Sequence, residues 1–254
     1  MKYSRQIQLA GIGEEGQSRL LRSRVLLVGA GGLGSPIALY LAAGGVGALG
    51  IVDLDTVALS NIHRQILYGV DDVGRQKTDA ALEKLRAINP DVAVTVYQER
   101  FQAGNALDLA QAYDVIVDGS DNLKTKFLLN DAAHLAGKPY IFGAVSGFEG
   151  QAGVFFPKEG GPCLRCMFPD LSPAGLSSAS SEAGVLGMVP GLIGLIQAGE
   201  VIKLILDIGK PLTGRFLVYD YLEAEFRNIA VSANPACPLC GENPSITDLS
   251  AEYR

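Results

Sequence analysis

From residue 24 onward, short apolar runs alternate with stretches whose apolar residues recur at helical spacing. The run Arg24–Val28 (R-V-L-L-V) leads into G-A-G-G-L-G at residues 29–34, and residues 35–43 read as a helix. Pro36 stands early in that helix, where a missing N–H costs nothing. Residues 48–53 form a second strand with an acidic end at Asp53. Residues 76–88 carry Ala80, Ala81, Leu82, Leu85 and Ile88 near helical spacing, and Asn89-Pro90 stops them. Strand 92–97, helix 105–113, strand 114–118, helix 122–136 and strand 138–144 continue the alternation. Such alternation predicts a parallel sheet with right-handed crossovers.

After about residue 145 the pattern changes. Residues 151–156 and 215–231 are longer, partly alternating strands, the second broken near Leu222. Antiparallel additions to the same sheet are the simplest account. Between them, residues 169–184 are rich in Ser, Ala, Pro and Gly and read as a mobile crossover loop. Residues 185–206 are apolar but interrupted by Pro190, Gln197, Glu200 and Lys203, so they read as a buried helix and not a membrane span. The expectation is an α/β fold: a Rossmann-like mixed sheet, mostly parallel in the N-terminal half with antiparallel additions. One domain over 1–254 fits, with a nucleotide-binding half at about 1–145 and a second half at about 146–254.

Composition agrees and narrows the class. The chain is 48% hydrophobic and 19% charged, which rules out intrinsic disorder. Lys plus Arg number 21 against 27 Asp plus Glu, a net charge of −6 that argues against nucleic acid as a partner. The 31 glycines are about 12% of the chain against an average of about 7%. That excess fits tight strand-to-helix turns. The opening Met-Lys-Tyr-Ser-Arg has no apolar signal core, so the chain reads as cytoplasmic, with no membrane partner.

Gly29, Gly31 and Gly34 make G-x-G-x-x-G between a strand and a helix, the pattern that cradles a phosphate on free N–H groups at a helix N-terminus. Asp53, at the end of the next strand, can accept hydrogen bonds from ribose hydroxyls. The motif names a nucleotide site without choosing the nucleotide, and a nicotinamide oxidoreductase would share it; tight NAD binding without ATP binding would favour that reading. Ser60-Asn61-Ile62-His63-Arg64-Gln65, Gly74-Arg75-Gln76-Lys77 and Asp118-Gly119-Ser120-Asp121-Asn122 follow at or near strand ends. Acids, cations and amides at that density suit nucleotidyl transfer, whose transition-state charge must be neutralised, better than an apolar nicotinamide slot.

The four cysteines form two C-x-x-C pairs, Cys163/Cys166 and Cys237/Cys240. The pairs lie 237 − 166 = 71 residues apart. Two such knuckles can complete a closed tetrahedral Zn²⁺ site of structural character, pinning the segment after Phe156 to the C-terminal segment. Redox pairs or plain thiols are the alternatives.

Taken together, K-Y-S-R-Q-I-Q-L, V-G-A-G-G-L-G-S-P, D-L-D-T-V-A-L-S-N-I-H-R-Q, G-R-Q-K, D-G-S-D-N, the cysteine pairs and E-A-G-V-L-G-M-V-P-G resemble the ThiF/MoeB/HesA family, bacterial relatives of ubiquitin-activating enzymes. The likeness runs in order from Tyr3 to Cys240. It implies an adenylyltransferase that uses ATP and Mg²⁺ on the C-terminal glycine of a small ubiquitin-like sulfur-carrier protein ending in Gly-Gly. By position, Gly29, Gly31, Gly32 and Gly34 would hold phosphate and Asp53 ribose. Ser60, Asn61, Ile62, His63 and Arg64 would line the nucleotide, with Arg64 and Lys77 on phosphate. Asp121 would bind Mg²⁺ beside Asn122, and Arg5 would reach into a partner subunit's site, which implies a homodimer. The second half would then carry carrier-binding and zinc roles. His63 stands where the family usually has Gln; it reads as a lining change, with a pH-sensing or catalytic role as the alternative.

The catalytic set is thus Arg5, Arg64, Lys77 and Asp121. Many relatives carry a cysteine nucleophile where this chain has Ser180, whose hydroxyl is a poor substitute without an activating base. With zinc on all four cysteines no thiol is left, so the expectation is adenylation without a covalent carrier intermediate and a separate sulfur donor. Only 14 residues follow Cys240, so no sulfurtransferase domain is expected there. A lapsed, carrier-binding scaffold is the remaining alternative, and intact Arg5, Arg64, Lys77 and Asp121 speak against it.

Overall fold

A computed structural model describes residues 2–169 and 184–249. Its centre is β1 (Arg24–Val28), buried on both faces as a doubly covered strand must be. Val25 and Leu27 enter one core, and Leu26 and Val28 the other. Around it lies an eight-stranded sheet in the order β3-β2-β1-β4-β5-β6-β7-β8. The strands β2 (Ala48–Val52), β3 (Ala93–Tyr97), β4 (Val115–Asp118) and β5 (Tyr140–Ser146) extend the sheet in parallel from β1. Then β6 (Glu149–Phe155), β7 (Arg215–Asp220) and β8 (Glu225–Ala230) are added antiparallel. The mixed sheet expected from the alternation is therefore present. Pattern alone placed most boundaries within two residues.

Three differences have physical causes. The change of pattern near residue 145 falls inside β5, which turns at Gly147 (φ +57°) straight into β6 with Ser146 opposite Glu149. The break near Leu222 is a tight turn between β7 and β8, and Ala224 has φ +53° there. Two N-terminal helices, α1 (Ser4–Ile7) and α2 (Gly13–Arg22), carried no sequence signal, because α2 buries only Gly16, Gln17 and Leu20.

One face of the sheet is covered by α3 (Gly34–Gly44), α4 (Lys77–Ile88) and α8 (Met188–Leu206), with Leu20 of α2 packed alongside. The other holds α5 (Ala103–Gln111), α6 (Leu123–Ala136) and the short α7 (Leu164–Met167), with an aromatic group of Phe127, Tyr140, Phe142, Phe155 and Phe216. The helices start and stop where their sequences dictate. α6 is capped by the Asn122 side chain, which accepts from the Thr125 N–H, and ends at left-handed Gly137. α3 ends at left-handed Gly45. Among the described residues α8 is long and apolar enough to cross a membrane, but half of its apolar window is buried in the fold. Gln197 and Glu200 are buried within it. Residues 170–183, including most of the expected crossover loop and Ser180, lie outside the described residues.

Candidate functional site

The connections β1 to β2 to β3 run outward on one side of β1, and the next strand, β4, returns to its other side. That reversal opens a crevice beyond the carboxyl ends of β1 and β4, where ligands of open α/β sheets bind. The glycine turn follows β1 and the turn at 118–122 follows β4. The two turns meet backbone to backbone. Gly119 donates its N–H to the Val28 carbonyl, and a methyl group at Gly29 (φ +94°) would lie 2.6 Å from the Gly119 carbonyl carbon. A methyl group on Gly119 would in turn strike the Gly29 oxygen.

Asp53 ties the glycine turn to β2. Its Oδ2 accepts from the Ala30 N–H at 2.7 Å and its Oδ1 from the Asp55 N–H at 2.8 Å. Burial raises its pKa, opposed by the positive charge of Lys77 and by those two N–H bonds. Holding a carboxylate in a partly buried site costs stability, and such perturbed groups cluster at functional sites. Tyr68, buried beneath the loop, donates its hydroxyl to the Ala30 carbonyl at 2.9 Å. Its own pKa is pushed up, first by burial and then by Asp53.

Lys77 is 24 positions beyond Asp53 in the chain and is brought back by a short zipper. Val57 and Arg75 share a backbone bond, Gly74 bonds Val57, and the Lys77 N–H reaches the Asp55 carbonyl. The Lys77 side chain is only 6% exposed and pairs with Asp55 at 2.8 Å. Arg64 sits on the opposite flank. Its guanidinium donates to the Ser60 carbonyl at 3.0 Å and to His63 Nε2 at 2.8 Å, so that nitrogen accepts. Its Cγ would touch a methyl group on Gly32 at 3.5 Å, as would Pro190 of α8 at 3.2 Å. Asn61 bonds the Ala58 N–H, and Ile62 is half-buried.

The contacts above bring Asp53, Arg64 and the turn that precedes Asp121 and Asn122 onto the glycine turn at Gly29, Gly31, Gly32 and Gly34. Ser60, Asn61, Ile62 and His63 come in the same segment as Arg64, and Lys77 is linked to the turn through Asp55 and Asp53. Asp121 is exposed at the mouth of the β4 turn, and Asn122 Nδ2 lies 3.5 Å from its Oδ1. Arg5 is not with them: it is exposed on α1, which docks at the far end of α3 through Gln6 and the Gly44 carbonyl. Sequence reasoning gave no role to three supports, of which only Gln65 stands in a quoted motif. Tyr68 lies outside every motif. Gln65 is 4% exposed beside Gly31, and its Oε1 has no partner among the described residues. Lys126 lies under the β4 turn.

The four cysteine sulfurs lie within 4.8 Å of one another. Cys163–Cys166 are 3.8 Å apart, Cys163–Cys237 3.5 Å and Cys166–Cys240 3.4 Å. A tetrahedral zinc–thiolate site with ~2.3 Å bonds needs sulfurs about 3.8 Å apart, so the cluster fits such an ion. Bonds with Cys163 and Cys240, aided by the Asn234 N–H, hold the Cys166 thiol well below its usual range. The same bond to Cys166 raises Cys163. The cluster is anchored to α6: Arg165 forks onto buried Asp131 at 2.7–3.2 Å, and the Leu164 N–H donates to Asn130.

Fold and crevice define an α/β nucleotide-binding protein of the activating-enzyme type, with a tetrathiolate-competent cluster. The chain belongs to the ThiF family, which it matches over residues 3–239. It is 48% identical over 252 residues to a sulfur carrier protein adenylyltransferase of Thermus thermophilus, covering 98% of this chain and 93% of that protein. It is 47% identical over 240 residues to a probable adenylyltransferase/sulfurtransferase MoeZ of Mycobacterium tuberculosis, 93% of this chain but 61% of that protein. In fold it is similar to E. coli MccB crystallised with ATP: TM-score 0.78, 23% identity, 94% of this chain and 74% of that one.

Proposed function

We propose that this protein uses ATP to adenylate the C-terminal glycine carboxylate of a small ubiquitin-like sulfur-carrier protein ending in Gly-Gly, releasing pyrophosphate. The observation that carries the reading is the crevice itself: a glycine cradle with Arg64 on one flank, Lys77 at its edge and Asp121 at its mouth. The Thermus relative's name points to the same chemistry.

A C-terminal carboxylate has a pKa near ~3.5 and is ionised at neutral pH, so attack on the α-phosphorus needs no general base. It needs alignment and charge neutralisation. Arg64 and Lys77 supply cations; Lys77 would exchange its contact with Asp55 for phosphate. Asp53 would hold the ribose and Ser60 to Arg64 would line the nucleotide. Asp121, an exposed carboxylate with Asn122 beside it, fits the sparse oxygen set on which Mg²⁺ is held together with phosphates. Bound there, the ion would neutralise phosphate charge. Zn²⁺ on Cys163, Cys166, Cys237 and Cys240 would be structural, and sulfur would come from a separate donor because these are all the cysteines of the chain.

Arg5 supports a homodimer. The 11 residues of α3, at ~1.5 Å each, separate its end of that helix from the glycine turn by about 16 Å. An open cavity of about 400 Å³ between α1, α3 and α8, lined by Gln6, Tyr40, Leu41, Leu195 and Ile202, offers an apolar face to a second copy. A second copy on that face would receive Arg5. Residues 1–254 then serve as one adenylation domain, about 1–145 for nucleotide and about 146–254 for carrier and zinc, on one continuous sheet. The test is carrier-dependent ATP–pyrophosphate exchange against a panel of small proteins ending in Gly-Gly. Exchange with at least one is expected; tight NAD binding with no ATP binding would overturn the reading.

A further inference from the structure

The turn that carries Asp121 rests on a buried ion pair between Asp118, the first acid of its motif, and Lys126, which lies outside every motif. Asp118, the last residue of β4, is fully buried, and Lys126, one turn into α6, is 4% exposed. Lys126 Nζ donates to Asp118 Oδ2 at 2.9 Å, to the Ser120 carbonyl at 2.8 Å and to the Gly143 carbonyl of β5. Its three protons are therefore spent on three acceptors, two in the 118–120 turn and one on β5. Tyr140 donates its hydroxyl to the same Asp118 Oδ2 at 2.8 Å. The other carboxylate oxygen accepts from both the N–H and the hydroxyl of Ser120. From the opposite face of the sheet, Gln197 of α8 donates to the Asp118 backbone carbonyl at 2.7 Å. Gly143 leaves room for it, since a methyl group there would overlap the Gln197 amide.

Stability does not explain this arrangement. A buried ion pair returns little over apolar residues of the same volume, while losing one partner is costly. What the pair does fix is the path of residues 118–120: both oxygens of Asp118 and the carbonyl of Ser120 are held, and Asp121 is the next residue. Because Gly119 also packs against Gly29, the same clamp sets the spacing between the Asp121 turn and the glycine turn. Under the adenylation reading above, we infer that Lys126, with Asp118 and Tyr140, is a positioning device that holds Asp121 and Asn122 where Mg²⁺ and the phosphates must be met. Lys126 itself touches neither.

The test compares the wild type with Lys126→Met, Lys126→Arg and Tyr140→Phe. Three quantities are read: half-saturating Mg²⁺ in carrier-dependent exchange, affinity for ATP without metal by calorimetry, and the thermal midpoint without ligands. Lys126→Met is expected to bind metal-free ATP within about threefold of the wild type, because the N–H groups of the glycine turn and its backbone contact with Gly119 are left in place. Its half-saturating Mg²⁺ should rise about tenfold or more and its kcat fall about a hundredfold, as for a misplaced catalytic group. Lys126→Arg, which keeps charge and donors, should recover part of the Mg²⁺ response. Tyr140→Phe removes one donor without stranding a charge, so it should fold even if Lys126→Met does not, with a smaller rise in half-saturating Mg²⁺. Activity that falls only with the folded fraction, at unchanged Mg²⁺ dependence in Tyr140→Phe and any folded Lys126 variant, would overturn the inference. A wild type that shows no exchange with any carrier would instead remove the adenylation reading and this inference with it.

Discussion

The nucleotide crevice and the cysteine cluster are two solutions to one problem, bringing distant residues together. In the crevice, parallel strand register delivers the parts: residues after β1, β2 and β4 arrive at the same edge because their strands do. Its closest contact is backbone on backbone, between Gly29 and Gly119, while its charged side chains are held by short polar bonds, Asp53 to the Ala30 N–H and Lys77 to Asp55. In the cluster, sheet register plays little part. Segments around 163–166 and 234–241 meet through sulfur and a few loop hydrogen bonds, and their hydrophobic group is small: Leu239 and Ile246 besides the cysteines. The first region is built on the shared sheet, whereas the second would draw its stability from a metal held by the four cysteines.

The sharpest way to break the comparison is at Asp121. Asp121→Ala should lower carrier-dependent exchange by about a thousandfold, the scale of a lost charge-stabilising group, while the thermal midpoint moves little. Retained exchange would remove Asp121 from the site. The converse holds for the cluster. Cys237→Ser should lose stoichiometric zinc and make the chain beyond residue 231 protease-sensitive, with exchange at low temperature kept within about tenfold. Metal analysis that finds no zinc in the wild type would refute the structural role.

Smaller effects probe what links the two regions. Asp131→Ala strands buried Arg165 and should cost about 3–5 kcal/mol in urea denaturation, with the loss shared between α6 and the cluster. Gly119→Ala should cost about 1–3 kcal/mol by overpacking and weaken ATP binding in the same step, since the Gly29 carbonyl must move. If affinity is unchanged, the two turns are not coupled. The smallest change concerns Asp53. Its folded-state pKa is raised above the unfolded value of 3.8, so its cost is absent at low pH and grows as pH rises through the folded pKa. The stability of the wild type relative to Asp53→Asn should therefore fall from pH 3 towards pH 7, measured by urea denaturation. A flat difference would deny that the carboxylate is held at a cost.

Much of this was legible beforehand for a physical reason: strands buried on both faces write themselves as unbroken apolar runs, and R-V-L-L-V and V-I-V-D needed no context. The glycine turn, Asp53 and the two C-x-x-C pairs were legible because each needs fixed residue types at short spacing. α2 was not, because its stabilising contacts are a few residues on a polar helix. Tyr68 and Lys126 were not, because a tyrosine or a lysine looks the same in sequence whether it faces water or a buried carbonyl.

What the sequence determined by itself is therefore the sheet's parallel core, the nucleotide turn and the presence of four metal-competent thiols. Only the tertiary structure decided that the two cysteine pairs converge and that Arg5 lies at the far end of α3 from the crevice. It alone placed Lys77 against Asp55 and a buried ammonium beneath Asp121's turn. Local patterns fix local geometry, because side-chain period and turn chemistry act over a few residues. Which distant groups share a crevice follows from strand order, and strand order depends on how all the connections cross the sheet, not on the pattern of any one segment.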